Sequence, residues 1–86
     1  MRFIVTRRFE EAYRSLPERL RRKTDKALRL PAENPGHPSL RLKKIQGAPG
    51  IWEARVDKGC RMTLEIRADA FLLRNVGKHD PTLGNP

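Results

Sequence analysis

The chain predicts an α+β fold: an N-terminal strand and a two-helix hairpin packed on a twisted, largely antiparallel sheet of four to five strands, in the order β-α-α-β-β-β-β. Three observations carry this. The segments I-W-E-A-R-V and R-M-T-L-E-I alternate apolar and polar residues strictly, as half-buried strands do. Short turn-like breaks, D-K-G and A-D, separate these and a third apolar run, F-L-L-R-N-V, so neighbours pair as hairpins. Upstream, Phe9, Ala12, Tyr13 and Leu16 recur at i, i+3, i+4 and i+7, which is one face of a helix.

Residues Arg2 to Val5 read as a short strand, with Phe3 and Val5 on one side. Thr6 is the expected N-cap of a helix from Arg7 to Leu16. Pro17 interrupts it and suits the first position of a second helix. That helix is expected to reach Leu30 and stop before Pro31. It turns Leu20, Ala27 and Leu28 inward, with Thr24 or Leu30 on the edge, and a basic face outward. The stretch P-A-E-N-P-G-H-P is a surface loop, and His37 within it reads as an exposed loop residue. Leu40 to Ile45 is a strand with Leu40 and Leu42 inward and Arg41 and Lys43 outward. Gln46 to Gly50 turn the chain into the meander. Trp52, Ala54 and Val56 share its inner face with Met62, Leu64 and Ile66. The last strand, Ala70 to Val76, is almost continuously apolar, which marks a central strand covered on both faces. The tail D-P-T-L-G-N-P has no periodicity and is expected to fray.

Eighty-six residues make one domain, 1–86. A chain this short buries only about 60% of its unfolded surface, so most large apolar residues must join one core. Nineteen Lys and Arg against ten Asp and Glu leave a formal charge of +9, which favours a polyanion as partner. Arginine outnumbers lysine, which suits bidentate phosphate contacts. The apolar runs are too short for a membrane span or a secretory signal. The lone Cys60 forms no internal disulfide. A cytoplasmic protein is expected. Two histidines and one cysteine without ligand spacing predict no metal site, and no nucleotide-binding glycine loop or serine-nucleophile motif is present. No cofactor is expected.

What remains is the polar face of the sheet. Lys43, Glu53, Arg55, Arg61 and Thr63 come from neighbouring strands and face one way, about 5 Å apart across the ladder. A solvated sheet face carries mixed charge without any function, and these residues have plain structural readings too. Arg61 can pair with Glu53 or Glu65 across strands, His79 can be a turn residue, and Trp52 can be core.

The ordered set L-P-E-R-L, the N-P loop, L-R-L-K-K-I-Q-G, I-W-E-A-R-V-D-K-G-C-R-M-T-L-E-I and R-N-V-G-K-H-D resembles the RelE/ParE superfamily of toxin–antitoxin toxins over nearly the whole chain. The resemblance implies the same strand, helical hairpin and antiparallel sheet. Its RelE-, YafQ- and YoeB-like branch implies a ribosome-dependent, metal-independent endonuclease of mRNA. The 2′-hydroxyl attacks the adjacent phosphate, leaving a 2′,3′-cyclic phosphate and a 5′-hydroxyl. By that resemblance His79 is the general acid, since histidine titrates near neutral pH. Arg61 is the main phosphate stabiliser, with Arg55 and Lys43 helping, and Glu53 is the general base. The cations Arg41, Lys43, Lys44, Arg74 and Lys78 are assigned to RNA binding. The implied partners are the ribosome, mRNA and an acidic antitoxin protein. Two departures stand out: the tail offers only Leu83 where many relatives carry a base-stacking aromatic, and Glu53 stands where some carry lysine. A ParE-like gyrase inhibitor without nuclease activity, or a non-catalytic RNA- or ribosome-binding module, are the alternatives.

Overall fold

Thr6 ends the first strand and opens the first helix. Its backbone is extended, at φ −73° and ψ 156°. Its hydroxyl accepts the N–H of Phe9 at 3.1 Å and donates to the Leu73 carbonyl at 2.7 Å. One side chain thus caps a helix and ties it to a distant strand. The computed structural model describes residues 2–33 and 42–86. Its elements in chain order are β1 (Arg2–Val5), α1 (Arg7–Arg14), α2 (Glu18–Glu33), β2 (Leu42–Lys44), β3 (Trp52–Asp57), β4 (Cys60–Ile66), β5 (Ala70–Lys78) and α3 (His79–Gly84). The strands form one sheet in the order β1-β5-β4-β3-β2. β1 runs parallel to β5, and the other neighbours are antiparallel. The expected α+β fold is the observed one.

Helices α1 and α2 cover one face of the sheet. Phe9 and Leu16 are buried there against Ala54, Met62, Leu64, Phe71, Leu73 and Val76, with Leu20, Ala27 and Leu28 packed around them. Thr24 is fully buried in this layer because its hydroxyl donates to the Leu20 carbonyl at 2.8 Å, which removes the cost of an unpaired polar group. Glycine backbones with φ of +80° and +79° at Gly47 and Gly50 make the turn between β2 and β3, a conformation that other residues adopt at a cost.

Several expectations are corrected. α2 continues past Pro31 to Glu33, since a proline in the last turn forfeits only one backbone bond before the helix ends anyway. On β1, Phe3 stacks on Phe71 with ring centroids 5.6 Å apart, while Val5 is 53% exposed. β1 is an edge strand, and the chain leaves it for α1 directly after Val5. Ile66, read as inward, is exposed at the end of β4. The tail is structured: it forms α3 and folds back on the sheet face opposite α1 and α2.

β5 is central, as its apolar run requires, with α1 over one face and α3 against the other. The β4–β5 register passes from Thr63↔Asn75 to Leu64↔Leu73, which leaves Arg74 outside the pairing. This bulge lets Leu73 and Val76, three residues apart, both point into the core. The tail is held by backbone oxygens. Asn85 O accepts from Arg8 and from Asn75 Nδ2 (3.2 Å), and Pro86 O accepts from Thr63 Oγ1 (3.1 Å) and Arg74 Nε (3.2 Å). Thr63, expected on a wet face, is therefore fully buried.

Thr82 lies over Gly77, where a Cβ would come within 2.8 Å of its Oγ1. Thr82 is buried and β-branched, so it cannot swing away freely. Gly77→Ala is expected to lift α3 and lower stability by about 1–3 kcal/mol. In a thermal melt, the double variant Gly77→Ala/Thr82→Ala should recover most of that loss; equal melting of single variant and wild type would mean that the contact is slack.

Candidate functional site

The strand register builds two rows on the face shared with α3. Lys43, Glu53, Thr63 and Asn75 line up across four strands, and Arg55, Arg61 and Gly77 line up in the next row. Lys43, Glu53, Arg55, Arg61 and Thr63 therefore share a face, as alternation implies. Thr63 is withdrawn beneath the tail. Lys43 and Arg55 are exposed, and among the described residues neither has a hydrogen bond or ion pair.

Arg61 is committed to the β3–β4 turn. Its Nη1 donates to the carbonyls of Asp57 (2.5 Å), Cys60 (3.1 Å) and Lys58 (3.3 Å). Its Nε lies 3.6 Å from Glu53 Oε1, with both side chains about 15% exposed (15% and 16%). The cross-strand ion pair weighed for Arg61 is thus present, with Glu53 and not Glu65 as the partner. Glu65 pairs instead with Arg74 at 2.6 Å and Arg67 at 3.0 Å.

Asp57 organises the same turn. Its Oδ1 accepts the Gly59 N–H at 2.9 Å, and its Oδ2 faces Arg19 at 3.2 Å and Lys23 at 3.4 Å. Burial alone pushes this carboxyl up, but the Gly59 N–H together with Arg19 and Lys23 outweighs it and holds the pKa below its ordinary value of 3.8. The folded state therefore binds fewer protons here than the unfolded state. The stabilisation is complete above pH 3.8 and is lost as pH falls through the lower folded value. Asp57→Asn should remove that part of the acid sensitivity, read as a smaller drop in denaturant midpoint between pH 5 and pH 3 than wild type shows. An unchanged drop would mean that other carboxylates govern it.

His79 reaches the turn from the other side. Its N–H donates to the Gly59 carbonyl at 2.9 Å, at the point where β5 becomes α3. Its imidazole is about half exposed, and Nδ1 lies 2.7 Å from Asp80 Oδ1. A carboxylate at Nδ1 holds the proton there and leaves Nε2 for other work. Asp57, Gly59 and Asp80 were not singled out as site residues, although K-H-D shows Asp80 beside the histidine. Nothing local in D-K-G tells that its carbonyls receive Arg61 and His79.

The remaining cations disperse. The Lys44 ammonium lies 5.4 Å from the Trp52 ring centroid, and its register with Trp52 and Leu64 sets it on the helix-covered face. Lys78 pairs with Cys60, one step out of phase with Arg61. Lys44 and Lys78 therefore do not join the Arg55 face, because a single step along a strand reverses the side. Arg74 is on this face but is engaged by Glu65 and Pro86 O. Arg41 and His37 lie outside the described residues. A cleft of about 450 Å³, lined by Lys44, Ile45, Ala48, Pro49, Gly50, Ile51 and Trp52, belongs to the β2–β3 connection and includes none of the rows above. Among the described residues, no three His, Cys, Asp or Glu side chains gather as a metal would require, and no helix is long and apolar enough to cross a membrane.

No protein-family model matches the chain, and no curated protein matches it by sequence. Solved structures do match. YafQ from E. coli strain BL21(DE3) superposes with a TM-score of 0.75 at 14% identity, covering 94% of this chain and 97% of that one. RelE in the RelB–RelE antitoxin–toxin complex from Methanococcus jannaschii gives 0.71 at 19% identity, covering 87% and 88%. The intact E. coli RelBE toxin–antitoxin complex gives 0.69 at 20% identity, covering 92% and 96%.

The fold is that of the RelE-like toxins.

The RelE-like fold accounts for the strand, helical hairpin and antiparallel meander together, and for a last strand that ends beside the β3–β4 turn. Matched chains include toxins solved with antitoxins, RelB in two cases and DinJ in two more.

Proposed function

We propose that this chain is the toxin of a type II toxin–antitoxin pair and cuts mRNA on the ribosome without a metal ion. The observation that carries this reading is the shared turn: the backbone N–H of His79, whose imidazole is exposed, and the guanidinium of Arg61 are anchored on the same β3–β4 hairpin, with Arg55 paired to Arg61 in the same row. The formal charge of +9 and the RelE-like fold support it.

Metal-free cleavage needs one proton removed, one delivered, and negative charge stabilised between. Glu53, held beside Arg61, takes the proton of the 2′-hydroxyl as that oxygen attacks phosphorus. The P–O5′ bond breaks, and His79 gives a proton from Nε2 to the departing 5′-oxygen. Asp80 at Nδ1 orients the ring and leaves Nε2 for that transfer. Arg55 and Lys43, which have no protein partner among the described residues, meet the phosphate charge. Arg61 contributes Nη2, which the turn does not use, and holds Glu53 in line. The products are a 2′,3′-cyclic phosphate and a 5′-hydroxyl. The partners are mRNA, the ribosome and, in the inhibited state, an acidic antitoxin segment covering the basic surface in the cytoplasm.

The test is to add the purified chain to programmed ribosomes and map the 5′ ends of the mRNA. Cleavage in the decoding site, lost in His79→Ala, is the expected result. Growth arrest with intact mRNA and trapped DNA breaks would move the reading to a ParE-like gyrase inhibitor. Ribosome or RNA binding with neither outcome would leave a non-catalytic binding module.

A further inference from the structure

We infer that Asp57 is the positioning residue for His79, acting through the backbone of Gly59. The inference rests on the reading of His79 as proton donor, but its geometric core is measurable without any cleavage.

The connection is short and continuous. Asp57 Oδ1 accepts the Gly59 N–H at 2.9 Å, two residues on. A side chain that bonds its own backbone in this way sets the shape of a tight turn. The Gly59 carbonyl, so oriented, accepts the His79 N–H at 2.9 Å. That bond fixes where β5 ends and α3 begins, and therefore where the imidazole stands. The Asp57 carbonyl accepts Arg61 Nη1 at 2.5 Å, so the same residue also holds the guanidinium that lies by Glu53. Its other carboxylate oxygen is held from α2 by Arg19 and Lys23. This braces the turn against the helix layer. Asp57 touches neither the imidazole nor any atom that would react; it decides where His79 sits.

Two substitutions separate this role from simple stability. Asp57→Ala removes the acceptor for Gly59. Asp57→Asn keeps an oxygen for Gly59 and loses only the charge facing Arg19 and Lys23. In Asp57→Ala, amide exchange at His79 is expected to quicken about tenfold more than that of the Leu64 amide, deep in β4, which reports any global loss of stability. The His79 imidazole resonances, identified by their absence in His79→Gln, should shift. In Asp57→Asn, the His79 amide and ring signals should stay close to wild type. If the chain cleaves mRNA, kcat should fall about tenfold in Asp57→Ala with KM within about twofold, as displacement of a proton donor predicts. Asp57→Asn should retain most of that rate.

Unmoved His79 signals in a folded Asp57→Ala protein would overturn the inference. So would an Asp57→Asn protein disturbed as much as Asp57→Ala. Should Asp57→Ala not fold, Asp57→Gln, whose longer side chain overshoots the Gly59 N–H, is measured in its place with the same two outcomes. A chain that cleaves nothing yet shows the expected resonance changes would retain the positioning and lose the proposed activity.

Discussion

Replacing His79 by alanine is expected to slow single-turnover mRNA cleavage on programmed ribosomes by about 10²–10⁴-fold, the usual worth of a positioned proton donor. The fold should hardly notice. The imidazole is half exposed, and its one side-chain hydrogen-bond partner among the described residues is the almost fully exposed Asp80. The bond that anchors this position comes from the backbone N–H to Gly59, which alanine retains. A stability change within about 0.5 kcal/mol is expected. Asp80→Asn should slow cleavage less, since it weakens the hold on Nδ1 without removing the donor. A His79→Ala protein that cuts at the wild-type rate would show that the leaving oxygen gets its proton elsewhere.

Arg61→Ala and Arg55→Ala should fail in different ways. Arg61 spans three turn carbonyls and Glu53 from a position only 15% exposed. Its loss strips a charged donor from the part-buried contacts with the Asp57 and Cys60 carbonyls, at a cost on the order of 2 kcal/mol. In a domain of this size that lowers Tm by roughly 10 °C. Arg61→Lys should restore only part, because one ammonium cannot span the carbonyls that a planar guanidinium spans. Arg55 is exposed, and no hydrogen bond or ion pair holds it among the described residues. Its replacement should leave Tm within about 2–4 °C, as for a surface change of at most about 0.5 kcal/mol. RNA cleavage or binding should nevertheless fall, most at low salt, because the loss of one phosphate contact flattens the salt dependence. Calorimetry beside the cleavage assay separates the two. An Arg61→Ala protein with an unchanged Tm and no cleavage would return the principal phosphate contact to Arg61.

The residues that alternated most cleanly were read most accurately. Trp52 to Val56 and Arg61 to Ile66 form paired strands whose inner residues, Ala54, Met62 and Leu64, are fully buried. Thr6 caps as its position predicts, because capping is decided within four residues. Misreadings fell where a partner far along the chain decides. Val5 and Ile66 look inward by period, yet one lies on an edge strand and the other at a strand end. Lys44 and Lys78 have the charge for RNA binding but stand one step out of phase with the face that bears Arg55. Arg74 has the right face, but Glu65 and the tail already occupy it.

The tail is the sharpest case. Six residues of helix are too few to show a period, and D-P-T-L-G-N-P carries no apolar stripe. Its docking depends on a missing Cβ at Gly77 and on backbone oxygens met by Arg8, Thr63, Arg74 and Asn75. Every residue has such oxygens, so they leave no mark in a sequence. Period and charge were enough to establish a helical hairpin on an antiparallel sheet with a cationic polar face, because each rests on neighbours two to four residues apart. Only folding decided which cations remain unpartnered, that Arg61 braces a turn, and that His79 stands beside it. Those outcomes depend on contacts between elements, whose strength is set by distance in space.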